Sequence, residues 1–401
     1  MSEPMLPFPL SVNFTRDEFY EFLRVATSVA SDILIQSGDY GWVEVYGKQM
    51  KATTRMLEST EVERALDFLY DGSGVSQLAD GKAIDDEVEI QATPGDFDRV
   101  LRYRMNATGA RIGRIARGIS ITMRVIPEAP PHYDDLKLPQ DITDNLFPRY
   151  GLVLIVGTTG SGKSTLLASA NRRRLETPDS PVKILTFEDP VEFPLCFGYG
   201  QTPQPSQVQI GRNLKSFGDA GRNAMRRKGD VVVMGESRDR ESINACFEMA
   251  LTGHAVYSTV HVDTPAEVFA RMVSFFPEDA QPAAANKLLD TLKLTIAQKL
   301  PRTTDGKRIA VRSWLTIDRE VKRALEGQPF ERWGAITRGF LDERKTSFDY
   351  QALPLVAEGI LDFQTFREVT NMTIREATNF LEEHGQANRV AANRQQILEA
   401  A

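Results

Sequence analysis

Gly157-Thr158-Thr159-Gly160-Ser161-Gly162-Lys163-Ser164 follows the apolar run Leu152-Val153-Leu154-Ile155-Val156 and precedes Thr165-Leu166-Leu167-Ala168. The octet fits G-x-x-x-x-G-K-[ST], a loop that wraps phosphates in backbone N–H groups. Its flanks supply the required context. A short β-branched run reads as a buried parallel strand, and the residues after Ser164 begin a helical pattern. The helix N-terminus adds the positive end of its dipole. Thr159, Gly160, Ser161, Gly162, Lys163, Ser164 and Thr165 are therefore the candidate nucleotide-binding residues. Lys163 is expected to reach the β- and γ-phosphates and Ser164 to ligate Mg²⁺.

Three further stretches have the form of strands ending in chemistry. Val182-Lys183-Ile184-Leu185-Thr186-Phe187 runs into Glu188-Asp189-Pro190-Val191-Glu192, three carboxylates where ligands bind in open α/β sheets. Asp230-Val231-Val232-Val233-Met234-Gly235-Glu236 is a third apolar run closed by an acid, followed by Arg238, Asp239 and Arg240. A carboxylate at such a position holds Mg²⁺ or orients the attacking water; the plain alternative is an acidic surface turn. Ala255-Val256-Tyr257-Ser258-Thr259-Val260 ends in His261, placed to hydrogen-bond phosphate or relay its presence. A metal shared with His254 is not expected, because seven strand residues separate the two by about 23 Å.

The 401-residue chain has room for two or three domains. Its net charge of -7 gives no general affinity for nucleic acid or anionic lipid. Two cysteines, Cys196 and Cys246, form no disulfide framework and no C-x-x-C pair, which suits a reducing cytoplasm. Met1-Ser2-Glu3-Pro4 lacks the start of a secretory signal, and no apolar run reaches the ~20 residues of a membrane span.

Before the loop, Asp17 to Asp32 reads as an amphipathic helix with Phe19, Phe22, Leu23, Ala26 and Ala30 on one stripe. Strands are expected at Ile33-Leu34-Ile35 and Trp42-Val43-Glu44-Val45-Tyr46 about a Ser37-Gly38-Asp39 turn, and a helix over Glu61 to Tyr70. Leu101, Tyr103, Met105 and Ala107 alternate with Arg102, Arg104 and Asn106; Ile119, Ile121, Met123 and Val125 alternate with Ser120, Thr122 and Arg124. A small α+β domain is thus expected over residues 10–128, a Pro-rich linker over 129–136, and a nucleotide-binding domain over 137–390. In that domain Ala283 to Leu300 reads as one helix, from Leu288, Leu292, Ile296 and Leu300 at every fourth residue. Tyr350 to Leu381 is helical by pattern, and the polar segment after His384 reads as fraying.

The four segments in this order resemble the secretion ATPase superfamily, which groups type II secretion and type IV pilus motors, PilT-like retraction ATPases among them, with conjugative and effector-secretion ATPases. The motifs are Walker A at Gly157–Ser164, an aspartate box at Thr186–Glu192, an atypical Walker B at Val231–Glu236 and a histidine box around Ser258–His261. The wording looks most like DotB-like ATPases of type IVB secretion and the related conjugative plasmid ATPases. The resemblance runs from about Ala30-Ser31-Asp32 through Ala297-Gln298-Lys299-Leu300 and implies an α/β chain. It implies a PAS-like N-terminal domain before a RecA-like domain with a mainly parallel sheet and a helical C-terminal part.

Carried over by residue, the resemblance implies phosphate contact by Lys163 and Mg²⁺ held by Ser164 with Glu236. Glu192 or Glu236 polarises water, with those roles unseparated, and His261 joins the site. Arginines from the N-terminal domain reach the nucleotide, with Arg104 and Arg124 as candidates and Arg117 a third. A homohexamer is implied, working in the cytoplasm, peripheral to the inner membrane through components of a secretion apparatus. The chain departs from some relatives in lacking a cysteine cluster, and residues 326–349, with Trp333, match nothing assigned. A pilus-retraction motor is the second reading. A nucleic-acid translocase is a third, supported only by Arg172-Arg173-Arg174 and by Arg222, Arg226, Arg227 and Lys228. Net acidity and the lack of interleaved aromatics argue against it, so direct nucleic-acid binding is not expected. A nucleotide-gated scaffold is a fourth, which measurable turnover would dispose of.

Overall fold

The computed structural model describes residues 6–45, 47–70, 73–96, 99–179, 181–198, 200–388 and 390. Tyr46, the N-terminal Met1 to Met5 and the polar tail from Ala391 onward lie outside them. The chain divides into two compact units, residues 1–128 and 129–401.

The first unit is one antiparallel sheet with helices on its apolar face. Its strands are β1 (Asp32–Gln36), β2 (Tyr40–Val45), β3 (Lys48–Met56), β4 (Ile84–Gln91), β5 (Val100–Ile112) and β6 (Ile115–Ile126), in the order β3-β2-β1-β6-β5-β4. The alternation in β5 and β6 does what period two requires: Tyr103, Met105, Ala107, Ile121 and Met123 are fully buried. They meet Phe19, Phe22, Leu23 and Ala26 of the helix Arg16–Thr27 and Val62, Ala65 and Leu66 of the helix Ser59–Leu69. The first helix stops at Thr27, short of the expected Asp32, because Asp32 already pairs in β1 with Arg124 of β6. Ala30 stays buried without being helical. β3 and β4 carried no clear sequence signal. Both are edge strands with largely polar faces, so little of their apolar pattern needed to exist.

Glu61 is the buried ion of this unit. Its carboxylate takes a bidentate pair from Arg55 at 2.7 and 2.8 Å and accepts the backbone N–H groups of Asn13 and Glu58. The Arg55 guanidinium, with those N–H donors, holds the Glu61 carboxyl at about 2 against the cost of burial. A carboxyl lowered in the folded state contributes stability above its ordinary value near 4.5 and loses it as pH falls towards 2. Glu61→Gln is therefore expected to lower the melting temperature at pH 7, by a ΔΔG of at most about 3 kcal/mol. The gap to wild type should close as pH drops from 5 to 3 in thermal scans of the full chain. A gap independent of pH would show that the charge of Glu61 is not what stabilises the unit.

The second unit is built on β7 (Gly151–Val156), β8 (Ile184–Glu188), β9 (Ser206–Gln209), β10 (Val231–Met234), β11 (Ala255–Val260), β12 (Leu292–Lys299) and β13 (Val311–Thr316). The order is β13-β12-β7-β11-β10-β8-β9, parallel except for β13. β7 is buried on both faces. Leu152, Leu154 and Val156 join one apolar cluster, and Val153 and Ile155 another across the sheet, hence a continuous rather than alternating run. With helices Phe348–Ala357, Phe363–Thr370 and Ile374–Glu383 closing the chain, the fold is the α/β class expected, with a helical C-terminal part.

The expected helix from Ala283 to Leu300 is half wrong. The helix is Gln281–Thr291, and Leu292–Lys299 is β12. A repeat of four is close to the helical 3.6 but is also a multiple of two, so the pattern suits either form; in the strand, a register shift between Leu292 and Leu294 sends Leu292 to one apolar cluster and Ile296 to the other. The decision falls to tertiary pairing. β12 lies between β7 and β13, which satisfy its backbone on both sides. Within residues 129–136, Tyr133–Leu136 forms a short 3₁₀ turn whose Tyr133 packs into the second unit. The unassigned residues 326–349 include the helix Trp333–Glu343, with Trp333 buried edge-on against Phe269, ring centroids 5.1 Å apart.

Candidate functional site

The phosphate loop leaves the carboxyl end of β7 and enters the helix Lys163–Glu176. Two glycines are required by its geometry. Gly157 has φ 146° and a Cβ there would sit 2.5 Å from both the Gln298 carbonyl and Ser161 Oγ; Gly162 has φ 83° and a Cβ would lie 2.7 Å from Gln298 Nε2. Gly162 is also the helix N-cap and brings no side chain to the first-turn N–H groups. That leaves them for an anion. Thr158, Thr159 and Gly160 are exposed at the loop crest, and Ser164 and Thr165 are half-buried on the first helical turn. Lys163 is buried, its Nζ donating to the carbonyls of Gly157 at 2.8 Å and Thr158 at 2.9 Å. Burial lowers the Lys163 ammonium from its ordinary range; Glu192 and then Glu236 oppose that.

Both sequence-selected carboxylates thus act on the loop lysine. Their settings differ. Glu236, just past β10, has Oε1 3.4 Å from His261 Nε2 and Oε2 4.0 Å from the Arg238 guanidinium. Glu192 is exposed. His261, just past β11, is held below its ordinary value by burial and then by Lys163, with Glu236 pulling the other way. The loop carrying Glu236 is stitched in place. Gly235 N–H donates to the Phe187 carbonyl, Thr259 Oγ1 to the Gly235 carbonyl, and Ser237 N–H to the Thr259 carbonyl. Lys163, Glu236 and His261 therefore meet at the carboxyl ends of β7, β10 and β11, where open α/β sheets place ligands.

One carboxylate of this edge, Glu188, was not singled out from its acidic run by sequence, whereas Arg238 was named there with Asp239 and Arg240 after Glu236. Glu188 ends β8, accepts hydrogen bonds from Thr186 Oγ1 at 2.5 Å and Gln207 Nε2 at 3.3 Å, and is pushed up to about 7, mainly by burial. The acidic run was visible, but which of its carboxylates turns inward depends on β9, which supplies Gln207. Arg238 reaches Asp189 at 3.1 Å and lies over the Phe217 ring, bridging the acidic run to the Glu236 loop.

The hydroxyl of Ser164 and the carboxylate of Glu236 are hard oxygen donors of the kind Mg²⁺ takes, one or two from protein with the rest from phosphates and water. Among the described residues no three His, Cys, Asp or Glu side chains form a metal cage.

Arg104 and Arg124 face each other directly in the β5–β6 ladder, on the side away from the core. Like charges directly opposite repel, and carboxylates offset them: Asp85 at 3.2 Å from Arg104 and Asp32 at 2.9 Å from Arg124. Arg117 lies seven residues up β6 from Arg124, about 23 Å along the strand, and does not join the pair. The basic triplet has another use. Arg172 stacks on Phe197 and pairs with Glu176, Arg173 covers Tyr133, and Arg174 covers Phe147 and Tyr257. These guanidiniums pack against aromatic rings of the unit. Among the described residues no helix is long and apolar enough to cross a membrane.

A family model for type II/IV secretion system proteins matches residues 106–379. The X-ray structure of the Legionella pneumophila ATPase DotB is similar with a TM-score of 0.80 and 36% identity, covering 92% of this chain and 98% of that one. The Yersinia pseudotuberculosis ATPase DotB gives a TM-score of 0.79 at 30% identity, covering 93% and 97%. The type IV pilus retraction ATPase PilT of Pseudomonas aeruginosa is 29% identical over 345 residues, 84% of this chain and 94% of its own length.

Proposed function

Because the chain belongs to the type II/IV secretion system protein family, we propose that it is a Mg²⁺-dependent ATP hydrolase driving a type IV secretion apparatus. The apparatus is of the IVB or conjugative kind, and the chain works from its cytoplasmic side as a homohexamer. The observation that carries the reading is the meeting of Lys163, Glu236 and His261 at one sheet edge above a phosphate loop. The likeness to the two DotB structures, over nine-tenths of the chain, supports the choice of apparatus. The likeness to PilT supports a second reading, a pilus retraction motor of the same fold. Pilin genes or conjugation genes beside the coding sequence discriminate the two.

In this reading the loop amides from Thr159 to Thr165 and the helix dipole hold the β-phosphate. Lys163 exchanges the Gly157 and Thr158 carbonyls for phosphate oxygens. Ser164 and Glu236 would hold Mg²⁺, which would supply neutralisation of phosphate charge. Glu236, oriented by His261 and Arg238, positions the attacking water; exposed Glu192 is the alternative. Arg104 and Arg124 are the arginines that the family resemblance assigns to the nucleotide. Arg is suited because its planar fork binds phosphate oxygens bidentately and stays charged.

The test is steady-state phosphate release by the purified chain with ATP and Mg²⁺, alongside fluorescent ADP binding. Turnover is expected in wild type. Arg104→Ala and Arg124→Ala should each lower kcat by about tenfold or more while ADP affinity changes less than about threefold. No turnover in an assembled wild type overturns the hydrolase reading. Wild-type rates in both variants would make the arginines ordinary surface charge.

A further inference from the structure

We infer that Gln298 is a positioning residue for the phosphate loop, locked in orientation by Arg312 and tied through it to the segment entering the second unit. Gln298 lies on β12, buried, opposite Arg312 in the β12–β13 ladder and one residue past the partner of Val156 in the β12–β7 ladder. Its Nε2 donates to the Ser161 carbonyl at 2.6 Å. Its Oε1 accepts Arg312 Nε at 2.8 Å. Arg312 is itself buried, and its NH1 donates at 3.1 Å to the carbonyl of Leu136, the last residue of the turn Tyr133–Leu136.

The residue types at each link are dictated by donor and acceptor chemistry. A guanidinium only donates and a backbone carbonyl only accepts, so the amide between them has a single satisfied orientation. Glutamate would lack the donor for Ser161, and methionine would lack both groups. The consequence at the loop follows from peptide geometry. In a trans peptide the C=O and the next N–H point opposite ways. Drawing the Ser161 carbonyl towards Gln298 therefore aims the Gly162 N–H the other way, into the cradle. The absent Cβ of Gly162 is what admits Gln298 Nε2 so close. Burial pulls the Arg312 guanidinium down to about 10, with Tyr133 opposing it. The bonds from Nε to Gln298 and from NH1 to Leu136 offset that cost.

This inference rests on the nucleotide reading, and its test separates the two. Glu in place of Gln298 keeps an oxygen for Arg312 and gains an ion pair, but turns a carboxylate oxygen on the Ser161 carbonyl. Gln298→Glu in the full chain is expected to keep its melting temperature within about 2 °C of wild type. Its Kd for fluorescent ADP should rise about tenfold, with a matching fall in kcat. Gln298→Met should weaken ADP similarly while also losing the Arg312 contact, and serves if the Glu variant does not fold. Wild-type ADP affinity in Gln298→Glu overturns the inference, as does a loss of affinity that only tracks a loss of folded protein. A wild-type chain that binds no ADP overturns the nucleotide reading itself.

Discussion

Lys163→Ala is expected to lower ATP turnover by about a thousandfold or more while leaving the fold intact. The lysine is the sole cation on the phosphate loop itself, and a full charge at the γ-phosphate has no neutral substitute. Its ground-state work is small by comparison. The two carbonyls it now binds belong to Gly157 and Thr158, and Thr158 is exposed, so water can replace the ammonium there. Thermal scans should therefore place the variant within a few degrees of wild type, and phosphate release should vanish into background. Activity within tenfold of wild type, in protein that is folded and assembled, would remove Lys163 from the centre of the mechanism and the nucleotide site with it.

Glu236→Gln should separate binding from chemistry. The amide keeps the shape and removes the charge, so ADP affinity should move less than about threefold while turnover falls by about 10²- to 10³-fold. The geometry favours this residue over Glu192 because two partners, His261 at 3.4 Å and Arg238 at 4.0 Å, hold its carboxylate to one place. An exposed side chain such as Glu192 pays rotamer entropy to reach the same precision. The measurement is single-turnover hydrolysis at saturating ATP beside an equilibrium ADP titration. A Glu236→Gln chain that hydrolyses at the wild-type rate hands the role to Glu192, and Glu192→Gln becomes the decisive variant.

The parts of the chain legible without a structure are those whose causes are local. The strand, loop and helix around Lys163 could be read because a phosphate cradle needs glycines and a helix start within one octet. β5 and β6 could be read because one wet face and one dry face impose alternation. The acids and the histidine at strand ends were legible because open α/β sheets bind ligands at the carboxyl ends of their strands. What remained hidden is non-local. Leu292–Lys299 is a strand only because β7 and β13 flank it, and its spacing of four suits either period. Gln298 had no signal at all, since its partners Ser161 and Arg312 lie in other strands and loops. Glu188 stands apart from Asp189 and Glu192 only once β9 covers it and burial raises its carboxyl. The arginine triplet looked like a basic patch until Tyr133, Phe147, Phe197 and Tyr257 arrived beneath it. The octet and the strand ends determine which chemistry is possible, because a residue's own neighbours set its backbone. Tertiary structure decides which side chains carry it, because burial, charge pairing and hydrogen-bond partners come from segments up to 176 residues away.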